Sequence, residues 1–532
     1  MEIRKIRTQL LWSVVLAMLA CLWLGWFWHR WIWWALLVLV PLVGLGIRDY
    51  LQLRHSLLRN YPLVGRLRYL IEGTGAEMRQ YIVESNTDGR PFDRDRRSLV
   101  YQRAKNVEDK KPFGTERNVY DETYGWLAHS MSPRPVDPDP VENFRVRVGG
   151  PDCRQPYDCS IYNISAMSFG SLSANAIEAL NIGAANGRFA HNTGEGGISK
   201  YHKSGGDLIW QIGTGYFGCR GDGGRFDPGL FERESRHDAV KMIEIKISQG
   251  AKPGHGGILP GHKVSGEIAR ARKIPVGEDC VSPAFHTAFS TPLELCRFIG
   301  RLRELSGGKP VGFKLCMGRL DEYFGVCKAM VETGVTPDFI TVDGCEGGTG
   351  AAPIEFSDHI GMPLREALVI VHNSLVGIGM RDRVRVMASG KIVTAFDMAA
   401  ACALGADTCN SARGFMFALG CIQAQACHTN ECPVGIATQD PKLARGLVAY
   451  LKSERIHNFH RNTVEAFAEV IAAAGLSRPE EVVPGMIFQR ISPTEIKSFS
   501  KLYSHMDPGQ LLTGGPGGML QPLWDRSSAE RF

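Results

Sequence analysis

The 532-residue sequence is poor in the features that mark several protein classes. Its 14 cysteines are far too few for a disulfide scaffold, so their positions matter more than their number. A net charge of +6 is small for this length and leaves no nucleic-acid footprint, so no nucleic-acid partner is expected. No internal repeat is present. No G-x-G-x-x-G falls between a segment read as a strand and one read as a helix, which argues against NAD(P)H binding by this chain. Hydrophobic residues at 44% and charged residues at 22% exclude a disordered, collagen-like or coiled-coil chain. The length fits two to four domains, or one large barrel with extensions.

The ordinary average hides a local bias. Seven of the ten tryptophans lie between Trp12 and Trp34, and Leu10 to Ile47 is almost wholly apolar, broken only by His29 and Arg30. This exceeds one membrane span of about 20 residues. Two short helices, about 10–28 and 31–47, are expected to form a transmembrane hairpin. Arg4, Lys5 and Arg7 precede it, and Arg48, Arg54, Arg59, Arg66 and Arg68 follow it. Basic flanks on both sides put both ends, and the bulk of the chain, in the cytoplasm at an inner or plasma membrane. A cleaved signal peptide and a hairpin dipping into one leaflet are the rival readings.

Residues 48–142 read as a charged linker and N-terminal subdomain, containing the Pro-rich connector Met131 to Pro140. Its Arg-rich part, 48–115, is a solvated face by default and a lipid-headgroup contact otherwise. Residues 143–440 alternate strand-like and helix-like segments. Eight candidate strands are 161–166, 188–193, 241–247, 279–283, 310–315, 337–343, 383–388 and 407–411. An insertion, 200–238, separates the second from the third. The fold class is therefore α/β: a (β/α)8 TIM barrel with an N-terminal transmembrane helical hairpin and a helical C-terminal extension. Helices are expected over 441–508, and 509–532, with its GGPGG, reads as a flexible tail.

Barrel enzymes do their chemistry on the loops after the strands. Glycine and polar residues concentrate there in this chain: 165–170, 192–197, 246–254 and 343–350. Four Gly-rich turns at strand ends favour a large bound cofactor over four plain tight turns. Ser389-Gly390-Lys391 and Arg413-Gly414 fit the phosphate site of such barrels, with Lys391 or Arg413 supplying charge. The phosphate of FMN suits this site, as does a sugar phosphate. Cys421, Cys427 and Cys432, followed by Pro433, have a spacing that can converge on one metal centre. Three ligands suit a three-iron cluster; zinc with His428, or structural thiols, are the alternatives.

Taken together, SAMSFGSLS at 165–173, NTGEGG at 192–197, KISQGAKPGHGG at 246–257, LPGHKV at 259–264, DGCEGGTGAAP at 343–353 and GCIQAQACHTNECPVGIATQ at 420–439 resemble the synthase domain of glutamate synthase. The similarity runs in unbroken order over about 115–490 and is nearest the membrane-anchored, FMN-binding branch of that family. The resemblance implies an FMN barrel with a [3Fe-4S] cluster. FMN contacts would come from Ala166, Met167, Ser168, Lys246, Asp343, Gly344, Ser389, Gly390, Lys391, Arg413 and Gly414. Cys421, Cys427 and Cys432 match the cluster ligands. Lys246 matches the lysine near the flavin, Glu195 the glutamate at the ammonia entry, and Gln249 a polar pocket residue; these three are the catalytic candidates. Lys252 and Arg272 match the cations that hold the carboxylates of 2-oxoglutarate.

The resemblance thus implies hydride transfer from reduced FMN to an imino acid formed from an oxoacid and ammonia or an amine. Three positions depart from the family pattern: Ile258 replaces an amide, His255 a carboxylate, and Ser389 one phosphate-loop glycine. Ile258 has no side-chain hydrogen bond to offer a substrate. The N-terminal cysteine nucleophile of the family's amidotransferase has no counterpart, so glutamine hydrolysis is not expected. Electrons are expected from a partner protein, ferredoxin or quinone. The alternative reading is a membrane-tethered flavin dehydrogenase acting on another amino-acid-like substrate.

Overall fold

The computed structural model describes residues 9–514 and 520–532; part of the expected tail, 515–519, lies outside them. The chain divides into a unit ending at Arg90 and a unit from Pro91 to Phe532.

In the first unit, helices Gln9–Phe27 and Leu36–Leu51 are joined through a 3-10 turn, Arg30–Ala35. Gln9–Phe27, and the turn with the second helix taken together, Arg30–Leu51, are each long and apolar enough to cross a membrane. Small residues bring them together. The Trp33 ring sits where a Cβ on Gly25 would stand, and Leu11 packs against Gly46 in the same way. The remaining tryptophans point outward and stay exposed.

The second unit is built on a closed parallel barrel. Its strands are β1 (Tyr162–Ile164), β2 (His191–Asn192), β3 (Leu208–Ile212), β4 (Val240–Lys246), β5 (Val311–Leu315), β6 (Phe339–Asp343), β7 (Arg385–Ser389) and β8 (Thr408–Ser411). Each pairs with its sequence neighbour, and β8 pairs back with β1. The barrel fold is as expected, but one strand is not. Cys280–Val281 pairs antiparallel with Ile258–Leu259 in a small excursion, so 279–283 is no barrel strand. The third strand is Leu208–Ile212, inside the stretch read as an insertion. LIWQI lacks alternation because it is buried on both faces, which hides a parallel strand from a period-2 reading. β3 also puts Gly213-Thr214-Gly215-Tyr216-Phe217-Gly218, a G-x-G-x-x-G, directly after a strand. No helix opens on it: a short 3-10 turn, Asp222–Gly224, comes first and the next α-helix is Pro228–Ser235. It is not a dinucleotide turn.

Side-chain alternation stacks the barrel interior in layers. Met242, Glu244 and Lys246 of β4 share the inner face, as do Phe339, Thr341 and Asp343 of β6. At the bottom, Met242 and Phe339 join Ile209, Met387 and Ala190. There they meet Val148, Tyr157 and Cys159 of an antiparallel hairpin, Arg145–Val148 with Tyr157–Ser160. Above them, the buried Glu244 carboxylate accepts from Asn192 (2.8 Å), Gln211 (2.7 Å) and the Thr341 hydroxyl (2.6 Å). The third layer opens onto the C-terminal mouth.

Helix Ala449–Ala473 packs along Ala174–Gly187, with Ile456 seated on Gly183. Helix Arg94–Ala104 packs against both Ala449–Ala473 and Arg413–Leu419. The 441–508 stretch also contributes two strands, Ile487–Ser492 and Glu495–Ser498, which join Gly125–Leu127 in a three-stranded sheet. Helix Gln521–Arg526 packs on Leu320–Thr333, with the Trp524 ring under Lys328 at 5.2 Å.

Candidate active site at the barrel mouth

The loops after β1, β4, β6, β7 and β8 enclose one cavity. It is lined by Ser165, Ala166, Gln249, Ala251, Lys314, Asp343, Gly347, Gly348, Ser389, Gly390, Lys391, Asn410 to Arg413, and Phe92. Seven expected site residues meet here: Ala166, Gln249, Asp343, Ser389, Gly390, Lys391 and Arg413. Met167, Ser168, Gly344 and Gly414 belong to the same loops without lining it. The Gly344 N–H donates to the Ser389 carbonyl at 2.8 Å, tying the β6 loop to β7. Two loops touch backbone to backbone. A Cβ on Gly250 would stand 1.8 Å from the Gly344 carbonyl oxygen, and the Gly250 N–H donates to Asp343 at 3.0 Å.

The cavity has the make-up of an anion site. Lys391 turns into the left-handed region (φ 52°), a costly conformation for a side-chain-bearing residue and a feature of functional loops. The Arg413 guanidinium donates to the Glu346 carbonyl at 2.5 Å, and burial lowers its pKa to about 10. The Asn410 side-chain oxygen is buried without a hydrogen-bond partner, so the wall retains an unused acceptor.

Two lining residues escape the sequence reading. Lys314 of β5 is buried with its ammonium 3.7 Å from Asp343. Its signal is visible in retrospect: a lysine inside the apolar run Val311–Leu315 must face either the solvent or a site. Phe92 lies far upstream of the barrel. Its ring sits beneath the Arg413 guanidinium at 4.8 Å and the Lys391 ammonium at 5.9 Å. Nothing in its local sequence marks it.

Beside this cavity stands a buried ion pair. The Lys246 ammonium donates to Glu195 at 2.6 Å. Burial raises the Glu195 pKa, but Lys246, Arg272 and Lys252 together outweigh it and hold the carboxyl below its usual value. Burial, with Lys314 nearby, lowers the Lys246 pKa. Glycine backbones close on the carboxylate: a Cβ on Gly213 or on Gly257 would come within 2.6 Å of its oxygens. Gly213, the first glycine of the G-x-G-x-x-G, therefore gives Glu195 its room. Lys252 is buried, which lowers its pKa, and Lys246 pushes the same way. The Arg272 guanidinium donates to the Phe169 carbonyl at 3.1 Å and stacks over Phe217 at 5.0 Å. Ile258 is exposed at the rim, paired across the small hairpin with exposed Val281. The His255 ring meets Phe356 edge-on at 5.4 Å.

Cys421, Cys427 and Cys432 line a second, small cavity with Met416, Ile422, Val434, Ile436 and Ala437. Burial pushes the Cys421 thiol up to about 12 and raises Cys427 as well. The Lys263 ammonium donates to the Cys427 carbonyl at 2.6 Å. Among the described residues, no three His, Cys, Asp or Glu side chains group closely enough to hold one metal ion. Three thiols around a common cavity are a donor set that fits a multi-iron cluster, whose ligands spread over several metals.

The fold and this mouth define a (β/α)8-barrel enzyme with an anion pocket beside a buried Lys–Glu pair. The family model for the conserved region of glutamate synthase matches residues 158–477. A glutamate synthase large subunit-like protein of Bacillus subtilis is 38% identical, with the match covering 83% of this chain and 92% of that one. An archaeal-type glutamate synthase [NADPH] of Thermotoga neapolitana is 36% identical over 60% of each chain. The chain spans about 60% of the length of such relatives. Among solved structures, it is similar to a flavocytochrome b2 double mutant with pyruvate bound, at 12% identity and a TM-score of 0.42; the match covers 84% of this chain and 90% of that one. The chain belongs to the glutamate synthase family, which places it among oxidoreductases.

Proposed function

We propose that the chain is an FMN- and iron–sulfur-dependent oxidoreductase of glutamate synthase type. It reduces the imine formed from 2-oxoglutarate, or a related oxoacid, and ammonia or an amine. The observation that carries this reading is the Lys246–Glu195 pair beside the cationic pocket of Lys391 and Arg413, in a chain of this family. When bound, FMN supplies the hydride and the [3Fe-4S] cluster supplies single electrons.

The chain's own residues do the rest. Ser389, Gly390, Lys391 and Arg413 hold the cofactor phosphate, with Ala166 to Ser168, Asp343, Gly344 and Gly414 shaping the surrounding loops. Lys246 and Lys314 place positive charge where negative charge gathers on a reduced ring system. Glu195, ionised in this site, attracts and guides ammonium at the entry. Lys252 and Arg272 fix the two oxoacid carboxylates, with Gln249 beside them, and lower the barrier by orientation. Cys421, Cys427 and Cys432 hold the cluster. The apolar hairpin anchors the chain to the membrane with the barrel in the cytoplasm, and a partner protein or quinone delivers electrons.

The test is anaerobic stopped-flow on purified, reduced protein. The expected results are a flavin spectrum, iron near three per chain, and fast reoxidation by 2-oxoglutarate plus ammonia but not by 2-oxoglutarate plus glutamine. Absence of flavin and iron overturns the reading. A second reading, a dehydrogenase passing electrons to quinone or ferredoxin, draws on the exposed Ile258–Val281 pair at the site's rim. Fast reoxidation by a short-chain quinone or ferredoxin, with none by oxoacid and ammonia, would select it.

A further inference from the structure

The first unit continues past its apolar hairpin into a helical stretch that packs on very little. Segments Val64–Gly73, Gly75–Met78 and Arg79–Val83 follow one another with only Thr74 between. The backbone carries through that residue: the Thr74 N–H donates to the Leu70 carbonyl, and the Met78 N–H to the Thr74 carbonyl. Its apolar side chains are ordered. Leu67, Leu70 and Ile71 stand at i, i+3 and i+4, and Met78, Tyr81 and Ile82 repeat that triplet eleven residues later, three helical turns on. Arg79–Val83 is a π-helical turn, which rotates Tyr81 and Ile82 only slightly about the axis, so all six fall on one side. That face is bare, each side chain being between 47% and 69% exposed. Arg68 and Arg79, also eleven apart, run along its flank.

A helix of this length is marginal in water unless its apolar face is buried. An uncovered stripe of six large apolar residues marks a contact surface. Two features say what covers it. The stripe begins shortly after a hairpin of two helices long and apolar enough to cross a bilayer. The surrounding segment is basic, with Arg48, Arg54, Arg59, Arg68 and Arg79 against Glu72 and Glu77; Arg66 is paired with Asp49 at 2.5 Å and Arg68 with Glu72 at 2.6 Å. An amphipathic helix with an arginine flank is the form that lies in a membrane interface, apolar side chains among the acyl chains and guanidinium groups among the phosphates.

We propose that residues 64–83 form an interfacial helix lying on the lipid surface, with Leu67, Leu70, Ile71, Met78, Tyr81 and Ile82 as its buried face. This rests on the membrane-anchored reading of the hairpin. It adds a second, peripheral attachment parallel to the bilayer.

The test uses the full chain reconstituted in phosphatidylcholine–phosphatidylglycerol vesicles. A photoreactive benzoylphenylalanine replaces Ile71, Ile82, Glu72 or Leu16, one at a time, all at exposed positions. Lipid adducts are read by mass spectrometry after irradiation. Strong adducts are expected at Ile71 and Ile82, with several-fold less at Glu72 on the polar side. Equal labelling of the two faces overturns the proposal. So does a chain-to-chain crosslink as the main product at Ile71 and Ile82, which would show that a second copy covers the stripe. Leu16 lies in the first arm of the hairpin and separates the two readings. Lipid adducts at Leu16 without any at Ile71 or Ile82 leave the hairpin standing and remove the interfacial helix. No adduct at Leu16, Ile71 or Ile82 overturns both.

Discussion

Phe92 holds two cations in place without neutralising them. A carboxylate in its position would pair with Arg413 and spend the charge that an anionic ligand needs; an aromatic face attracts the guanidinium and leaves its charge intact. The ring is fixed from behind, edge-on to Phe417 at 5.2 Å, and the Gln423 amide bonds both backbone groups of Phe92 at 3.3 Å. Phe92→Leu keeps an apolar filler and removes the π-face. FMN affinity should fall roughly 3- to 30-fold, while riboflavin, which lacks the phosphate, binds as before. Flavin fluorescence titrations of both ligands check this, and equal weakening would assign Phe92 to packing alone. Glu195 is the opposite case, a carboxylate whose value lies in its charge. Glu195→Gln leaves the Lys246 ammonium buried without a counter-ion, which costs roughly 3–5 kcal/mol when a buried pair is broken. Denaturant midpoints should fall, and ammonia-dependent turnover should fall further than turnover with a preformed imine substrate.

Elements place these residues, and the elements were unequally legible in the sequence. Lys246, Asp343 and Ser389 could be found because each ends a β-branched or aliphatic run and leads into a glycine loop. β3 could not, because Trp210 and Gln211 both turn into closed surroundings and erase the alternation a half-buried strand would show. The error reaches the site only through Gly213, which follows β3 and closes on Glu195; the strands that carry Lys246, Asp343, Ser389 and Ser411 were read to within a residue or two. Phe92 was invisible for another reason: its partners Arg413 and Gln423 are brought to it only by the packing of helix Arg94–Ala104 against Arg413–Leu419. The loops themselves make a sharper prediction. Gly250 is where the loop after β4 touches the loop after β6, and no side chain fits there. Gly250→Ala should separate the two loops, destabilise the barrel by about 1–3 kcal/mol and abolish flavin retention. Thermal melting and the bound-flavin absorbance of the purified variant measure both effects.

On the scale of the whole molecule, the apolar core of the barrel unit encloses several histidines that are buried in the neutral form, and these tie its stability to pH. Burial lowers His191 and His460 to about 3, and His286 and His372 to about 4. His286 shows why the neutral form is built in. Its Nε2 lies 2.9 Å from the Lys246 carbonyl, which can only accept, so Nε2 carries the proton. Nδ1, 3.1 Å from the Tyr216 hydroxyl, is then the acceptor. His460 stacks on Phe189 at 3.9 Å and bonds Ser160 at 2.9 Å, again deep in the fold. In the unfolded chain these rings take up protons near pH 6.5, whereas in the folded chain they do so only near 3 to 4. Between those values the unfolded state binds more protons, so stability rises with pH and is lost as pH falls from about 6.5 towards 4. Each histidine contributes a slope of up to about 1.4 kcal/mol per pH unit. Glu195 acts in the same direction at lower pH, because its depressed carboxyl loses its contribution only as pH falls through its folded value. Denaturant midpoints followed by circular dichroism should therefore decline steeply once the pH drops below about 6. His460→Gln, which stays neutral at every pH, should flatten that decline by about one histidine's share. A stability profile level down to about pH 4 would mean that these rings are charged, and solvated, inside the folded barrel.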